Sequence, residues 1–282
     1  MKPMLAHKFS DHQSKVTYPI FIQPKLNGVR GLYLNGEFQS RDNHLYHPSV
    51  VAHLTSVLTQ VIPSNLILDG EFYLHGLSLQ QINSAIAVNR TTPSPRTTSI
   101  QYHVFDCIDI NNLQATTTER QTILTDLADK LTFRFGTNAN VQIVPTTLAT
   151  QSLAETLYAY YRHLGYEGIM YRSVNAPYGL EHNCGNKQNR WTHLLKRKEW
   201  MDDWFRAVDI ELTEGDKGNQ GFRLHCLTED NQSFFIGSGL SQAEAAQFAE
   251  NFPTNFQAHI KYEMLSDGLI PLKPTVLEYK HD

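Results

Sequence analysis

The sequence predicts a two-domain α+β protein, in which a larger domain of mixed strands and helices over residues 1–200 precedes a small β-barrel over residues 204–282. Two observations predict this division. In the first 200 residues, short apolar runs with strand-like composition alternate with stretches of helical periodicity. The remaining residues contain five short strand-like segments separated by Gly, Asn and Asp turns, with one helical stretch, and this pattern is typical of an oligonucleotide-binding (OB) barrel.

The order of elements follows from local patterns. Residues 1–19 are predicted to be a polar lead-in, and Asn27-Gly28, the commonest hairpin-turn pair, predicts a hairpin between a strand ending at Lys25 and a strand over 29–34. Further strands are predicted at 37–41, 66–73, 100–108, 141–144, 168–172 and 191–198, and helices at 48–61, 78–87, 118–131 (capped by Thr118) and 151–164. In the barrel, strands are predicted at 205–212, 221–227, 233–237, 257–264 and 274–280, and a helix at 242–250.

The charge of the chain is unevenly distributed. The formal net charge of −4 does not by itself indicate a nucleic-acid-binding protein. Residues 203–282 contain 6 Lys+Arg and 13 Asp+Glu, whereas residues 1–202 contain the remaining 18 and 15. We therefore expect contact with a polyanion to begin on the first domain.

Cysteine usage and hydropathy bear on the compartment. The three cysteines, Cys107, Cys184 and Cys226, lie far apart without a C-x-x-C pair, which predicts reduced thiols and argues against a structural zinc site. The first twenty residues lack the apolar stretch of a signal peptide, and no segment approaches the roughly 18 apolar residues of a membrane span. We expect a cytoplasmic protein without a membrane partner.

Lys25 is the candidate nucleophile, because it lies between apolar residues beside the predicted turn. Partial burial and nearby cations disfavour the ammonium form of a lysine, and a lysine becomes a nucleophile at neutral pH in this way. An ordinary surface lysine beside a hairpin turn is the alternative that this stretch leaves open. The surrounding residues, 23–30, read Gln-Pro-Lys-Leu-Asn-Gly-Val-Arg.

Residues 23–30 resemble the Lys-x-Asp-Gly-x-Arg signature of the nucleotidyl-transferase superfamily, which contains ATP-dependent DNA ligases, RNA ligases and mRNA capping enzymes. Further segments in the family's order extend the resemblance over nearly the whole chain. They span residues 68–72, 104–106, 166–172, 194–198 and 235–241, followed by 260–263, 267–268 and 273–274. The barrel segments are similar to those of DNA ligases in particular.

The resemblance implies a small, phage-type ATP-dependent DNA ligase, with an ATP-grasp-like α/β adenylation domain followed by an OB domain. It implies that Lys25 attacks the α-phosphate of ATP, that the AMP passes to the 5′-phosphate of a nick, and that the 3′-hydroxyl displaces it. It also implies ATP and Mg²⁺ (or Mn²⁺) as cofactors and nicked duplex DNA as partner. We expect a monomer.

The resemblance also implies roles for individual residues. The catalytic residues are Lys25, Glu167, Lys196 and Lys198. ATP binding adds Gln23, Pro24, Arg30, Glu71, Phe105, Met170 and Arg190, with Phe105 stacking on adenine. The metal ligands are Glu167 and Glu71, and the nucleic-acid contacts are Asn27, Arg41, Arg190 and Lys280. Each of these residues also has a purely structural interpretation. The carboxylates fit solvent-exposed strand ends, Phe105 fits a core aromatic, and the basic run at 194–198 fits a solvent-exposed strand face.

Two positions depart from the family pattern. Asn27 stands where the signature has aspartate, and Lys280 stands where the last motif has arginine. Asparagine loses the charge of aspartate, and lysine cannot make the bidentate phosphate contact of arginine. These departures keep open a nucleic-acid-binding homologue with weakened catalysis. The enzymatic alternative is an RNA ligase or a capping-type nucleotidyl transferase.

Overall fold

The structure is a computed structural model and describes residues 1–136, 139–180, 190–214 and 220–282, without the side chain of residue 220. The chain divides into two units, Met1–Lys198 and Glu199–Asp282. No helix in the described ranges is long and apolar enough to cross a membrane.

The first unit contains ten strands and five helices within its described residues. The strands are β1 (Leu5–Lys8), β2 (Ile20–Lys25), β3 (Val29–Leu34), β4 (Glu37–Gln39), β5 (Leu66–Tyr73), β6 (Gln101–Asp109), β7 (Val141–Ile143), β8 (Thr147–Ala149), β9 (Gly168–Arg172) and β10 (Arg190–Lys198). The helices are α1 (Phe9–His12), α2 (Pro48–Leu58), α3 (Leu79–Ile86), α4 (Thr117–Phe135) and α5 (Gln151–His163). Short 3₁₀ turns lie at Gln13–Lys15 and Thr97–Ser99.

These strands form two five-stranded sheets. The first has the order β1-β10-β9-β2-β8 and the second the order β4-β3-β5-β6-β7. Pairing is antiparallel except between β1 and β10 and between β6 and β7. Helix α5 packs on the first sheet, and α2, α3 and α4 pack on the second. The cores consist of the apolar faces that meet in these layers, for example Leu54 of α2, Ile82 of α3 and Phe72 of β5.

Local capping determines where the helices begin. Pro48 occupies the first turn of α2, where its missing N–H costs no hydrogen bond. Helices α3 and α4 begin with capping boxes, Ser78 with Gln81 and Thr116 with Glu119. The predicted cap at Thr118 is therefore wrong by two residues, because Glu119 completes a box with Thr116.

The predicted hairpin across Asn27-Gly28 is wrong. Strand β2 belongs to the first sheet and β3 to the second, so the two strands are not paired. Neither residue has the positive φ that the predicted turn requires. Gly28 is needed for a different reason: a Cβ at this position would lie 2.2 Å from the carbonyl oxygen of Phe72 on β5.

Residues 1–19 are also more than a polar lead-in. Strand β1 pairs in parallel with β10, and Met4 and Phe9 are buried beside it. Strand β1 has only four residues, and its partner β10 lies more than 180 residues further along the chain. Local periodicity therefore gave no indication of this pairing.

The second unit consists of strands and one helix. The strands are β11 (Met201–Glu214), β12 (Gln220–Leu227), β13 (Ser233–Ile236), β14 (Gln257–Tyr262), β15 (Met264–Leu265), β16 (Pro271–Leu272) and β17 (Thr275–Lys280), and the helix is α6 (Gln242–Glu250). A five-stranded sheet has the order β13-β12-β11-β14-β17, and β15 pairs with β16. Strand β11 begins at Met201, four residues before the predicted start. Alternate residues such as Leu224, Ile236 and Ile260 form the core with Phe248 of α6.

An ion-paired histidine connects three neighbouring strands of this sheet. His259 on β14 approaches Asp202 of β11 through Nε2 at 2.7 Å and Glu278 of β17 through Nδ1 at 3.0 Å. Its ring stacks on Trp204, with ring centroids 5.0 Å apart. The hydrogen bond with Asp202, and then that with Glu278, raise the pKa of His259.

We predict a pH-dependent stability that His259 controls. A raised pKa in the folded state means that the stabilisation is complete below the unfolded pKa of about 6.5 and is lost as the pH rises through the folded value. The free energy of unfolding of the wild type should therefore exceed that of His259→Gln at about pH 6, with a charge-dependent part of up to about 1 kcal/mol, and the difference should shrink by that part at high pH. Denaturant unfolding across this range measures it; a constant difference would contradict the prediction. As a second arm, Glu278→Gln should reduce the same pH dependence.

We predict that Gly28→Ala destabilises the protein by about 1–3 kcal/mol, because the added Cβ overlaps the backbone of β5. Gly268→Ala is the matched control, since the nearest atom to its new Cβ, Oε1 of Gln232, would be 3.6 Å away. Urea unfolding of both variants provides the comparison. Equal midpoints for Gly28→Ala and the wild type would show that the contact between residue 28 and β5 relaxes without cost.

Candidate active site

A cavity of about 220 Å³ lies in the first unit where the two sheets meet. Strands of both sheets contribute to its walls, and ten of the residues singled out from the sequence line it. The full lining comprises Leu5, Ala6, Gln23, Pro24, Lys25, Leu26, Arg30, Arg41, Glu71, Phe105, Met170, Arg172, Arg190, Leu194 and Lys196.

Lys25 lies at the end of β2 and forms an ion pair with Glu167. The other carboxylate oxygen of Glu167 lies 3.4 Å from Nζ of Lys198, so one carboxylate bridges two lysines. Strand register explains this arrangement, since Lys25 and Lys198 are both aligned with Gly168 on β9, which lies between their strands. The sequence predicts nearby cations that disfavour the ammonium form of Lys25. The structure instead pairs this ammonium with the carboxylate of Glu167.

Gly168 permits this close packing of strands. A Cβ at this position would lie 2.0 Å from the carbonyl oxygen of Arg197 on β10, and its φ of +155° is one that side chains rarely adopt. The main chain adds a further contact, because the N–H of Glu167 donates to the carbonyl of Lys25 at 3.1 Å. The glycine thus allows the glutamate to sit against the lysine.

Lys196 and Lys198 occupy alternate positions of β10 and therefore project to the same side of the sheet. Lys196 is aligned with Met170 of β9 and lines the cavity beside it. Two ammonium groups at this spacing can contact the oxygens of one phosphate chain.

Glu71 contacts the main chain next to the lysine. Its Oε1 accepts a hydrogen bond from the N–H of Gly28 at 2.5 Å. Burial raises the pKa of Glu71, although Lys25 and this hydrogen bond oppose the rise. The second sheet thus presents a carboxylate to the end of β2, in the same cavity.

Arg30 is held by a buried carboxylate. Its Nε and Nη2 donate to the two oxygens of Asp69 at 2.9 and 2.5 Å, and the Tyr178 hydroxyl donates to Asp69 at 2.6 Å. Burial works against the charged guanidinium, but the Asp69 carboxylate outweighs it and the pKa of Arg30 is raised. Arg30 therefore remains a fixed cation in the cavity wall.

Phe105 lies half-buried on β6 at cation–π distance from two arginines. The guanidinium carbons of Arg30 and Arg172 are each 5.3 Å from its ring centroid. Arg172 donates from Nη1 to Asp106 at 2.6 Å and from Nε to Oε1 of Gln23 at 2.6 Å. Although burial alone would raise it, Arg120 and Arg172 hold the pKa of Asp106 below its ordinary value.

Several residues in and behind this wall were not predicted from the sequence. Arg172 is the last residue of the motif at 166–172, and the resemblance implies no role for it. The available signal was a charged residue in an otherwise apolar strand. Arg120 lies in the buried stripe of α4 with Leu124 and Leu127, and this position could have marked it. Leu5 and Ala6 carried no such signal.

Four predicted residues lie apart from this arrangement or at its edge. Arg41 is exposed and lies 3.7 Å from Asp42 while also lining the cavity. Asn27 is half-buried in the connection between β2 and β3. Lys280 belongs to the second unit, where its Nζ lies 4.3 Å from the ring centroid of Trp204. Arg190 donates to the carbonyl of Ala6 at 2.9 Å.

The carboxylates at the cavity suit a hard divalent cation. The described part of the chain contains no group of three or more His, Cys, Asp or Glu side chains that could hold a metal. Mg²⁺, however, is commonly bound by one or two carboxylates together with phosphate oxygens and water. Glu71 and Glu167 supply such a pair, so the residues present fit a cation that is shared with a phosphate chain.

Comparisons with known proteins place the chain in a family. The model of the ATP dependent DNA ligase domain matches residues 3–198. A DNA ligase of African swine fever virus (isolate Tick/South Africa/Pretoriuskop Pr4/1996) is 31% identical over 220 residues, which are 76% of this chain and 48% of the viral protein. The chain thus spans about half the length of the curated relatives it matches.

Solved structures agree in fold. A Lig E DNA ligase superposes with a TM-score of 0.77 at 19% identity, covering 99% of both chains. The Chlorella virus DNA ligase-adenylate superposes with a TM-score of 0.56 at 19% identity, covering 100% of this chain and 99% of that one. The bacteriophage T7 ligase in complex with ATP superposes with a TM-score of 0.54 at 14% identity, covering 99% of this chain and 98% of that one.

These likenesses confirm the predicted fold class, a nucleotidyl-transferase domain followed by an OB-type domain. The family model covers most of the chain, including Lys25 and every residue of the cavity. The chain therefore belongs to the family of ATP-dependent DNA ligase domains.

Proposed function

We propose that this protein is an ATP-dependent DNA ligase that seals 5′-phosphate/3′-hydroxyl nicks in duplex DNA through a covalent lysine–AMP intermediate. The observation that carries the proposal is the position of Lys25, whose ammonium is paired with Glu167 at a cavity that also contains Phe105 and Lys196. A nucleophile, an aromatic surface for a base and cations for phosphates meet there.

The first step joins Lys25 to AMP. Nζ of Lys25, after losing a proton, attacks the α-phosphorus of ATP; the N–P bond forms as the bond to the bridging oxygen breaks, and pyrophosphate leaves with the electron pair. Lys25 now pairs with Glu167, so this pair must separate before the attack. Lys196 and Lys198 would stabilise the charge on the equatorial oxygens.

The nucleotide would be held at both ends. Phe105 stacks on adenine, Met170 adds an apolar contact, and Arg30 with Glu71 holds the sugar. The side-chain amide of Gln23 already bonds to protein groups, so we assign the base-edge contact at Gln23 and Pro24 to the main chain. Glu71 and Glu167 would hold Mg²⁺ or Mn²⁺, which supplies positive charge to the triphosphate.

The polynucleotide partner would be nicked duplex DNA. Arg41, Arg190 and Asn27 in the first unit and Lys280 in the second are the proposed contacts, in keeping with the excess of basic residues before position 203. In the next two steps AMP moves to the 5′-phosphate and the 3′-hydroxyl displaces it. We further propose a monomer that acts in the cytoplasm, where thiols such as the buried Cys107 and Cys226 stay reduced.

Sealing of a singly nicked DNA duplex with ATP and Mg²⁺ tests the proposal. We expect ligated product and an acid-labile AMP adduct on the protein. Sealing of nicked RNA instead of DNA would identify an RNA ligase, and adduct formation with GTP a capping-type enzyme. DNA binding without any adduct would indicate a homologue that lacks catalysis.

We predict that Lys25→Ala and Lys25→Arg both abolish the AMP adduct. Alanine removes the nucleophile, and a guanidinium remains protonated and cannot attack. Labelling with α-³²P-ATP measures the adduct, and Lys130→Ala, an exposed lysine of α4, is the control that should label normally. A labelled Lys25→Ala protein would show that another residue carries AMP.

We predict that Asn27→Asp changes adduct formation by no more than about threefold and does not slow the sealing of a pre-adenylated nick. Lys25, Glu167, Lys196 and Lys198 are unchanged in this variant, and an added carboxylate restores the charge of the family signature. Single-turnover sealing of the same pre-adenylated duplex by both proteins measures the effect. A tenfold loss would instead mean that the asparagine amide donates a needed hydrogen bond.

A further inference from the structure

We propose that Arg172 is a positioning residue of the nucleotide cavity, which locks the side chain of Gln23 and the ring of Phe105 and thereby sets the affinity for ATP. The proposal deepens the proposed function and rests on it. Arg172 ends β9, lines the cavity and is only 3% exposed. Its described hydrogen bonds and ring contact go to Gln23, Asp106 and Phe105, and we assign its role to these neighbours.

The first neighbour is Gln23, whose side chain is 1% exposed. A guanidinium can only donate hydrogen bonds, so the atom of Gln23 that faces Arg172 must be the amide oxygen. The amide nitrogen is thereby turned to the other side, where it donates to the carbonyl of Phe105 and to the hydroxyl of Thr146, each at 2.9 Å. Arg172 and the Phe105 carbonyl thus fix the same orientation of this amide from its two sides.

The second neighbour is Phe105, which Arg172 holds twice. The guanidinium carbon lies 5.3 Å from the ring centroid, a cation–π distance. The main chain of the same residue accepts a hydrogen bond from Gln23, whose amide oxygen Arg172 binds. Both contacts cross from the first sheet to the second, because Arg172 and Gln23 lie on β9 and β2 and Phe105 lies on β6.

Arg172 is not needed to neutralise its acidic partner. The Asp106 carboxylate also accepts hydrogen bonds from Nε and Nη2 of Arg120 at 2.7 and 3.2 Å. The neighbouring buried carboxylate, Asp69, is paired with Arg30. Asp106 therefore has two arginine partners where one would neutralise it, and the second, Arg172, lies next to the ring of Phe105. Burial lowers the pKa of Arg172.

The test separates binding from chemistry. In Arg172→Lys, which keeps the charge but cannot bridge Asp106 and Gln23, we expect KM for ATP in adduct formation to rise about tenfold or more, with kcat within about threefold. Gln23→Asn, which shortens the other partner, should raise KM similarly. Inhibition by inorganic tripolyphosphate should be unchanged, because the phosphate ligands are intact. Arg197→Met is the control: this arginine of β10 binds Glu155 at 2.6 Å outside the cavity and should leave both constants unchanged.

A double-mutant cycle with Phe105→Leu tests the route of the effect. If Arg172 acts through Phe105, the KM effect of Arg172→Lys should largely disappear in the Phe105→Leu background. Additive effects, a fall in kcat at constant KM, or an unchanged KM in Gln23→Asn would each overturn the proposal. The wild-type protein is assayed first. If it forms no AMP adduct, the proposed function is refuted and this proposal with it; if it does, the variants test this proposal alone.

Discussion

Two buried carboxylates that face each other on neighbouring strands constrain the whole first unit. Asp69 of β5 and Asp106 of β6 are register partners, and both are completely buried. Two like charges in such a position require cations, and removing one partner of a buried pair typically costs about 3–5 kcal/mol. The cations come from elsewhere in the chain: Arg30 from β3, Arg120 from α4 and Arg172 from β9.

This charge pairing also builds the cavity. Because Arg172 belongs to the first sheet and Asp106 to the second, their ion pair holds the two sheets together at the cavity wall. Two of the arginines that pair with the aspartates, Arg30 and Arg172, also lie at cation–π distance from Phe105, so the same ion pairs help to build the surface assigned to the base. The surroundings of Lys25 are organised separately. There Glu167 bridges Lys25 and Lys198, and the register of their strands with β9 sets the distance between the two lysines.

Most elements and most cavity residues were predictable from local patterns and from the resemblance. The strand over Leu66–Tyr73 and the helix over Gln242–Glu250 have the predicted bounds, because alternation and capping residues act over a few positions. Gln23, Phe105 and Lys196, which their motifs had singled out, line the cavity. The local errors were shifts of a few residues, such as the cap of α4 at Thr116 and the start of β11 at Met201. The larger errors were non-local: the parallel pairing of β1 with β10, and the separation of β2 from β3 into different sheets.

The sequence by itself determined the class of the protein, the order of its elements and the identity of the candidate nucleophile, because side-chain periodicity, capping boxes and motif spacing are encoded within short segments. Only the tertiary structure decided what surrounds these residues. Asn27-Gly28 looks like a hairpin turn locally, yet Gly28 is required because the backbone of β5 approaches it. Likewise, the role of Arg172 depends on Gln23 and Asp106, 149 and 66 residues away in the chain, which packing brings within hydrogen-bond distance.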